Sequence, residues 1–171
     1  MMKKKFQTII YESSYPFINW QEVTKIDGEL IQGDLIHYKD LEWQIFLRPA
    51  GDSEKYIYKA LSADNCKTFQ TIIKTQLSCP LSGVAAIKTS NGTILLSHNN
   101  TNEFKRTPLN LNSIKAGEVY FQNDKVIDSG DLELSYPCLL ERENKDIFMI
   151  YTYNRKMIKN IILEPKEVYG L

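Results

Sequence analysis

Three cysteines and two histidines are the side chains of this 171-residue chain that would most readily ligate a metal or attack an electrophile. Cys66, Cys79 and Cys138 are odd in number, lack ligand spacing, and in two cases flank a proline. His37 and His98 are too little material for a histidine triad or a zinc site. The cysteines read as small buried or half-buried thiols, and no metal or cofactor is expected. The chemistry that remains belongs to arginine and to phenol. An arginine fork meets a carboxylate bidentately and never loses its charge. A phenol, with a pKa of about 10, attacks carbon usefully only when a neighbour draws its proton. Arg48 ends an apolar run before Pro49, Arg106 follows the polar stretch Asn99 to Asn102, and Tyr136 precedes Pro137. Residue type alone leaves each of them open to a surface ion pair or a packing role.

The elements that must position these groups are set by a repeat. Ser13, Ser62 and Ser113 are each followed seven residues later by an aromatic residue, Trp20, Phe69 and Tyr120, and the serines lie 49 and 51 residues apart. A period near fifty is the length of one propeller blade. A second repeat runs out of phase with it. Turn signals at Lys39-Asp40, Asn91-Gly92 and Lys145-Asp146, 52 and 54 residues apart, open apolar strands at Trp43–Leu47, Thr93–Leu96 and Ile147–Tyr151. Each unit reads as strand, hairpin, strand, strand, serine turn, strand. Helical periodicity is absent, and strands are expected near 6–11, 33–38, 42–48, 55–61, 69–74, 83–88, 93–98, 108–112, 118–122, 138–141, 147–152 and 157–163.

The pattern predicts one all-β domain over 1–171, a partial β-propeller of about three four-stranded antiparallel blades. A blade remnant occupies 1–27, and the blades follow at about 28–75, 76–128 and 129–171. An open array leaves unpaired edges, so a second half-propeller chain or self-association is an expected partner.

Lys+Arg and Asp+Glu both number 21, the net charge is zero and the pI is near 6.7. That balance gives no electrostatic case for nucleic acid or an anionic membrane. The basic run Lys3-Lys4-Lys5 reads as a solvated tail. The segment after it is too short and polar for a secretory core, and no stretch approaches membrane-spanning length. A soluble, by default cytoplasmic, protein is expected.

The segment Ser62-Ala63-Asp64-Asn65-Cys66-Lys67-Thr68-Phe69 resembles the Asp-box of sialidase-type propellers, Ser-x-Asp-x-Gly-x-Thr-Trp, with Cys66 at the glycine and Phe69 at the tryptophan. The box has a physical logic. Serine and aspartate tie a tight turn to nearby backbone, glycine supplies positive φ, and the aromatic anchors the next strand in the core. The third copy keeps Ser113, Gly117 and Tyr120 without the aspartate, and the first keeps only its ends. Further matching pieces follow in order: Ile31 to Leu35, Phe46-Leu47-Arg48, Asn91 to Asn99, Arg106-Thr107-Pro108-Leu109, Ser135-Tyr136-Pro137 and Tyr151 to Arg155. From Gln32 to Pro165 the chain therefore resembles the sialidase (neuraminidase) superfamily of BNR repeat proteins, and the resemblance is to the C-terminal half of a six-bladed member only.

That resemblance implies a glycoside hydrolase acting on an acidic terminal sugar such as sialic acid, in truncated or split form. In the family three arginines bind the substrate carboxylate, a tyrosine assisted by a glutamate is the nucleophile, and an aspartate is the acid/base. Arg48 resembles the second arginine, Arg106 the third and Tyr136 the nucleophile, each on a successive blade. The first arginine and the aspartate belong to early blades with no counterpart here. Gln32 occupies the position of the assisting glutamate, where an amide cannot take the tyrosine's proton. Glu133, three residues before Tyr136, is the candidate substitute, and Arg155 is a candidate pocket residue. The alternatives are a propeller that binds acidic glycans without turnover and an inactive fragment.

Overall fold

The computed structural model describes residues 6–70, 72–115 and 118–169. Lys3-Lys4-Lys5, and Gly117 of the third serine turn, lie outside the described residues. The order is β1 (Gln7–Glu12), β2 (Gln21–Asp27), β3 (Leu30–Lys39), β4 (Glu42–Pro49), β5 (Tyr56–Ser62), β6 (Ile73–Ser78), β7 (Ala85–Lys88), β8 (Ile94–His98), β9 (Leu109–Ile114), β10 (Gln122–Asp128), β11 (Leu134–Glu141), β12 (Ile147–Tyr153), β13 (Met157–Leu163) and the short helix α1 (Pro165–Tyr169). The chain is all-β in four antiparallel sheets: β1–β2, the meanders β3 to β6 and β7 to β10, and β11–β12–β13. They form an open, propeller-like array in which β7 lies against both β3 and β11.

The expectation of three four-stranded blades needs correction. Two sheets have four strands, whereas the third has three among the described residues and is followed by α1, whose Val168 is buried in the core of that sheet. Strand β2 was not expected, and β6 and β10 each begin four residues later than the sequence pattern placed them. In β10, Gln-Asn-Asp-Lys-Val-Ile-Asp, no residue is buried, so the strand carries little apolar pattern to read.

The hydrophobic runs follow from which faces are covered. In β4, Ile45, Phe46 and Leu47 are all buried because both faces of that sheet are packed. Phe46 shares a core with Ile57 of its own sheet, Leu96 of the next sheet and Phe121 just before β10, whose ring lies 5.7 Å away edge-on, while Ile45 and Leu47 share another with Ile26 and Leu30. Strand β8 repeats the logic, with Leu96 in one core and Leu95 in the next. In β12 the pattern alternates instead. Ile147, Met149 and Tyr151 are buried while Phe148, Ile150 and Thr152 are half-buried.

All three hairpin turns fall where the turn signals stand. Asp40, Gly92 and Lys145 carry φ of 47°, 87° and 69°. The Ser62 turn is built as the box pattern requires. Ser62 Oγ accepts from the Cys66 amide at 2.9 Å, the Asp64 carboxylate accepts from the Thr68 amide and hydroxyl at 2.9 and 2.6 Å, and Cys66 takes the glycine's positive φ of 65°. The aromatic anchor holds at one copy only: Phe69 packs on the Ile26–Leu47 core, but Trp20 and Tyr120 are 62% and 64% exposed. Between sheets, the Asp34 carboxylate accepts the Ala86 amide at 2.7 Å, and Glu141 accepts the amide and hydroxyl of Ser90 at 2.7 and 2.9 Å. These bonds fix β3, β7 and β11 side by side.

Candidate functional site

Two bulges aim the central side chains. The register of β3 shifts between Ile31 and Asp34, and that of β11 between Ser135 and Cys138. Inside them Gln32 and Tyr136 adopt φ of 50° and 52°. A bulge with a left-handed residue turns a side chain out of the pleat, and strain of this kind in non-glycine residues gathers at functional sites. Gly83, in the loop before β7, lets the two approach. A Cβ there would stand 3.3 Å from Tyr136 Cδ1 and 4.0 Å from Gln32 Nε2.

Arg48 lies near the end of β4. Its Nη1 donates to the Leu81 carbonyl, and its Nε is buried without a partner. Burial, with the like charge of Arg106, pushes its pKa below the usual arginine range against the opposing influence of Cys79 and Tyr136. Among the described residues no carboxylate pairs with it within 4.0 Å.

Arg106 comes from the loop between β8 and β9, and Asn99 staples that loop in place. The buried Asn99 amide donates to the Pro108 carbonyl at 2.9 Å and the Leu134 carbonyl at 3.0 Å, while the Leu134 amide donates to the Arg106 carbonyl at 2.8 Å. The Arg106 guanidinium carbon sits 5.2 Å from the Tyr136 ring centroid. Its Nη1 donates to Glu133 Oε1 at 3.0 Å. Glu133 also accepts from Ser135 Oγ and from Arg155 Nε, each at 2.8 Å. Burial would raise the Glu133 pKa, but the hydrogen bonds from Ser135 and Arg155 and the two arginine charges hold it below the usual range. Hydrogen bonding to Arg106 and its charge, helped by Arg155 and Arg48 and opposed by partial burial, lower the Tyr136 phenol.

Arg48, Arg106, Arg155, Glu133, Tyr136 and Gln32 thus share one neighbourhood, with three guanidiniums to one carboxylate and a phenol 47% exposed. An arrangement of this kind can hold an anion against an acidified tyrosine. Sequence reasoning passed over Gly83 and Asp34 as positioning residues and read Asn99, with His98, as satisfying a turn. The sequence pattern put Gly83 at the start of a strand over 83–88, whereas β7 begins at Ala85; an asparagine that bonds across to another strand has no local signature. His98 is scaffold, fully buried with its ring bonded to the Ser78 carbonyl and Asn112 Oδ1. An inter-sheet cleft lined by Trp43, Gln44, Lys59 and Ile114 lies toward the opposite end of β4 and contains no arginine. Among the described residues no group of three or more His, Cys, Asp or Glu is placed to hold a metal, and no helix is long and apolar enough to cross a membrane.

Solved structures share this fold. The NanB sialidase of Streptococcus pneumoniae superposes with a TM-score of 0.82 at 16% identity, covering 97% of this chain and 28% of that one. An intramolecular trans-sialidase from Ruminococcus gnavus gives 0.75 at 18% identity, over 92% of this chain and 38% of that one. Trypanosoma rangeli sialidase gives 0.74 at 13% identity, over 95% and 28%. The chain therefore spans about a quarter to two fifths of the length of these proteins, and at such identities the likeness is one of fold. No curated protein sequence matches the chain. The expectation that the resemblance is confined to 32–165 and to a C-terminal half is overturned, because 92–97% of the chain matches the sialidase fold. The BNR repeat-like domain profile covers residues 2–149, and the chain belongs to that family.

Proposed function

We propose that the Arg48–Arg106–Tyr136 neighbourhood is a sialidase-like site that holds the carboxylate of an acidic terminal sugar. The observation that carries this reading is the half-buried Arg48, with an unpartnered Nε and no counter-ion among the described residues. A desolvated cation without a partner is costly unless an anion completes it. The sugar carboxylate would accept from Arg48 and Arg106 together, with Arg155 at the rim. Glu133 then orients Arg106, Gln32 offers its amide to a sugar hydroxyl, and the Tyr136 ring lies under the anomeric carbon.

Hydrolysis is the second reading, favoured by the lowered phenol of Tyr136. Here the Tyr136 phenol gives up its proton to solvent, its Oη bonds to the anomeric carbon as the glycosidic bond breaks, the leaving oxygen takes up a proton from solvent, and water then bonds to the anomeric carbon as the Oη–carbon bond breaks. Gln32 cannot accept the phenol's proton, so the arginine field and Glu133 carry the activation. Glu133 is a weak base while it accepts three hydrogen bonds, which makes binding the stronger of the two readings.

Thermal melting of the purified chain with N-acetylneuraminic acid, its methyl ester and a neutral hexose tests the proposal. The free acid alone should raise the melting temperature, and Arg48→Met should abolish the rise. Equal melting with acid and ester refutes carboxylate recognition. Release of fluorophore from an umbelliferyl sialoside, lost in Tyr136→Phe, separates turnover from binding.

A further inference from the structure

Sheet β11–β12–β13 has one face packed and one face open among the described residues. The cross-strand register carries the open face over all three strands. Leu140 and Ile162 flank Phe148, Cys138 and Asn160 flank Ile150, and Ile158 stands opposite Thr152. Leu140, Ile158 and Ile162 are 58%, 74% and 46% exposed. None of these residues is charged, in a chain where a quarter of all residues are. A solvated face of an antiparallel sheet ordinarily alternates to polar side chains. A contiguous uncharged one therefore marks an interaction surface.

We propose that this face joins two copies of the chain, sheet on sheet about a two-fold axis. A two-fold contact needs one self-complementary patch, and an uncharged patch meets its own copy without like-charge repulsion. The sheet at the other end of the array is a poor match. Ile10 and Ile26 of β1–β2 face the core, so its outward side pairs Ile9 with Lys25 and Gln7 with Asp27. Docking β11–β13 against that side, as head-to-tail ring closure would, buries charges with no partner across the contact. Like face on like face buries none.

The face offers on the order of 500 Å² per copy, or about 1,000 Å² for the pair, the lower edge of specific interfaces. A dimer that dissociates at roughly 10–100 µM is the expected strength. The contact borders the sugar site at Cys138, where the β11 bulge that carries Tyr136 ends.

Sedimentation velocity of the purified chain between about 5 and 500 µM tests the proposal. A single monomer–dimer equilibrium is expected. Ile158→Lys, at a position open enough to leave the melting temperature unchanged, should weaken it at least ~10-fold. Cys138 is an internal probe, because Cys66 and Cys79 are buried while Cys138 is exposed on this face. Iodoacetamide alkylation of Cys138 should slow several-fold as wild type is concentrated, and should not slow in Ile158→Lys. A monomer at every concentration overturns the proposal. So does a dimer that tolerates Ile158→Lys and leaves Cys138 open, since pairing would then run through the β13 edge or another surface. Polydisperse aggregation without a dimer also overturns it.

Discussion

Asn99→Ala should loosen the site from behind. The Asn99 side chain is fully buried and its amide is the donor to two carbonyls, those of Pro108 and Leu134. Truncation leaves both without that donor in a region with little access to water. An unsatisfied buried group costs about 1–3 kcal/mol, and partial relaxation brings the pair to about 2–4 kcal/mol. For a domain of this size each kcal/mol moves the melting temperature by about 2–4 °C, so a fall of about 5–15 °C is expected. The damage should also be local. The Arg106 carbonyl is held by the Leu134 amide, so hydrogen exchange at Leu134 should accelerate more than at Leu95, deep in the neighbouring sheet. Calorimetry with exchange mass spectrometry or NMR measures both. A melting temperature within about 2 °C of wild type, or exchange raised equally at Leu95 and Leu134, refutes the view that Asn99 clamps the Arg106 loop to β11.

Three further outcomes follow from the same geometry. Hydrogen bonds from the Thr68 hydroxyl and amide and from Ser62 hold Asp64 down at about 2. Its folded pKa lies below the unfolded value of about 3.9, so its stabilisation is present above pH ~4 and fades as pH falls toward 2. The melting gap between wild type and Asp64→Asn should therefore close over that window, and a constant gap counts against the box assignment. Arg106→Gln removes the largest influence lowering Tyr136. Its phenolate absorbance should appear at higher pH than in wild type, with Tyr136→Phe as the blank, and an unmoved titration would show that the ring does not sense the arginine. Gly83→Ala puts a methyl 3.3 Å from Tyr136 Cδ1. Because the tyrosine can swing into solvent, stability should change by less than about 1.5 kcal/mol. Acidic-sugar affinity should fall several-fold, and normal affinity would argue against a pre-set Gln32–Tyr136 geometry.

Turns were the most legible part of this fold. Asp40, Gly92 and Lys145 sit at positive φ in hairpins that their neighbours announce, and Ser62, Asp64 and Thr68 close a loop whose bonds span at most four residues. Chemistry of that range is written in adjacent letters. The outer strand β10 was poorly legible because none of its residues is buried, which leaves little apolar pattern to read. The aromatic of the serine repeat misled for a related reason. Phe69 finds the Ile26–Leu47 core beneath it, whereas Trp20 and Tyr120 end at the surface, and nothing local distinguishes the three.

For the site, residue order on the chain and convergence in space are separate matters. Arg48, Arg106 and Tyr136 stand 58 and 30 residues apart, and the repeat places them on successive sheets. Chain order says nothing of the bulges that turn Gln32 and Tyr136 out of the pleat, since left-handed glutamine and tyrosine carry no turn signature. Nor does it foretell that both oxygens of Glu133 are taken by Arg106, Arg155 and Ser135. The sequence by itself determined the all-β repeat, the hairpins, the box turn and the supply of arginine and phenol, because each rests on short-range backbone preference and periodicity. Only the tertiary structure decided which charges pair and, among the described residues, which cation has no carboxylate beside it and which sheet face is open. Those outcomes depend on desolvation and on contacts between strands far apart along the chain.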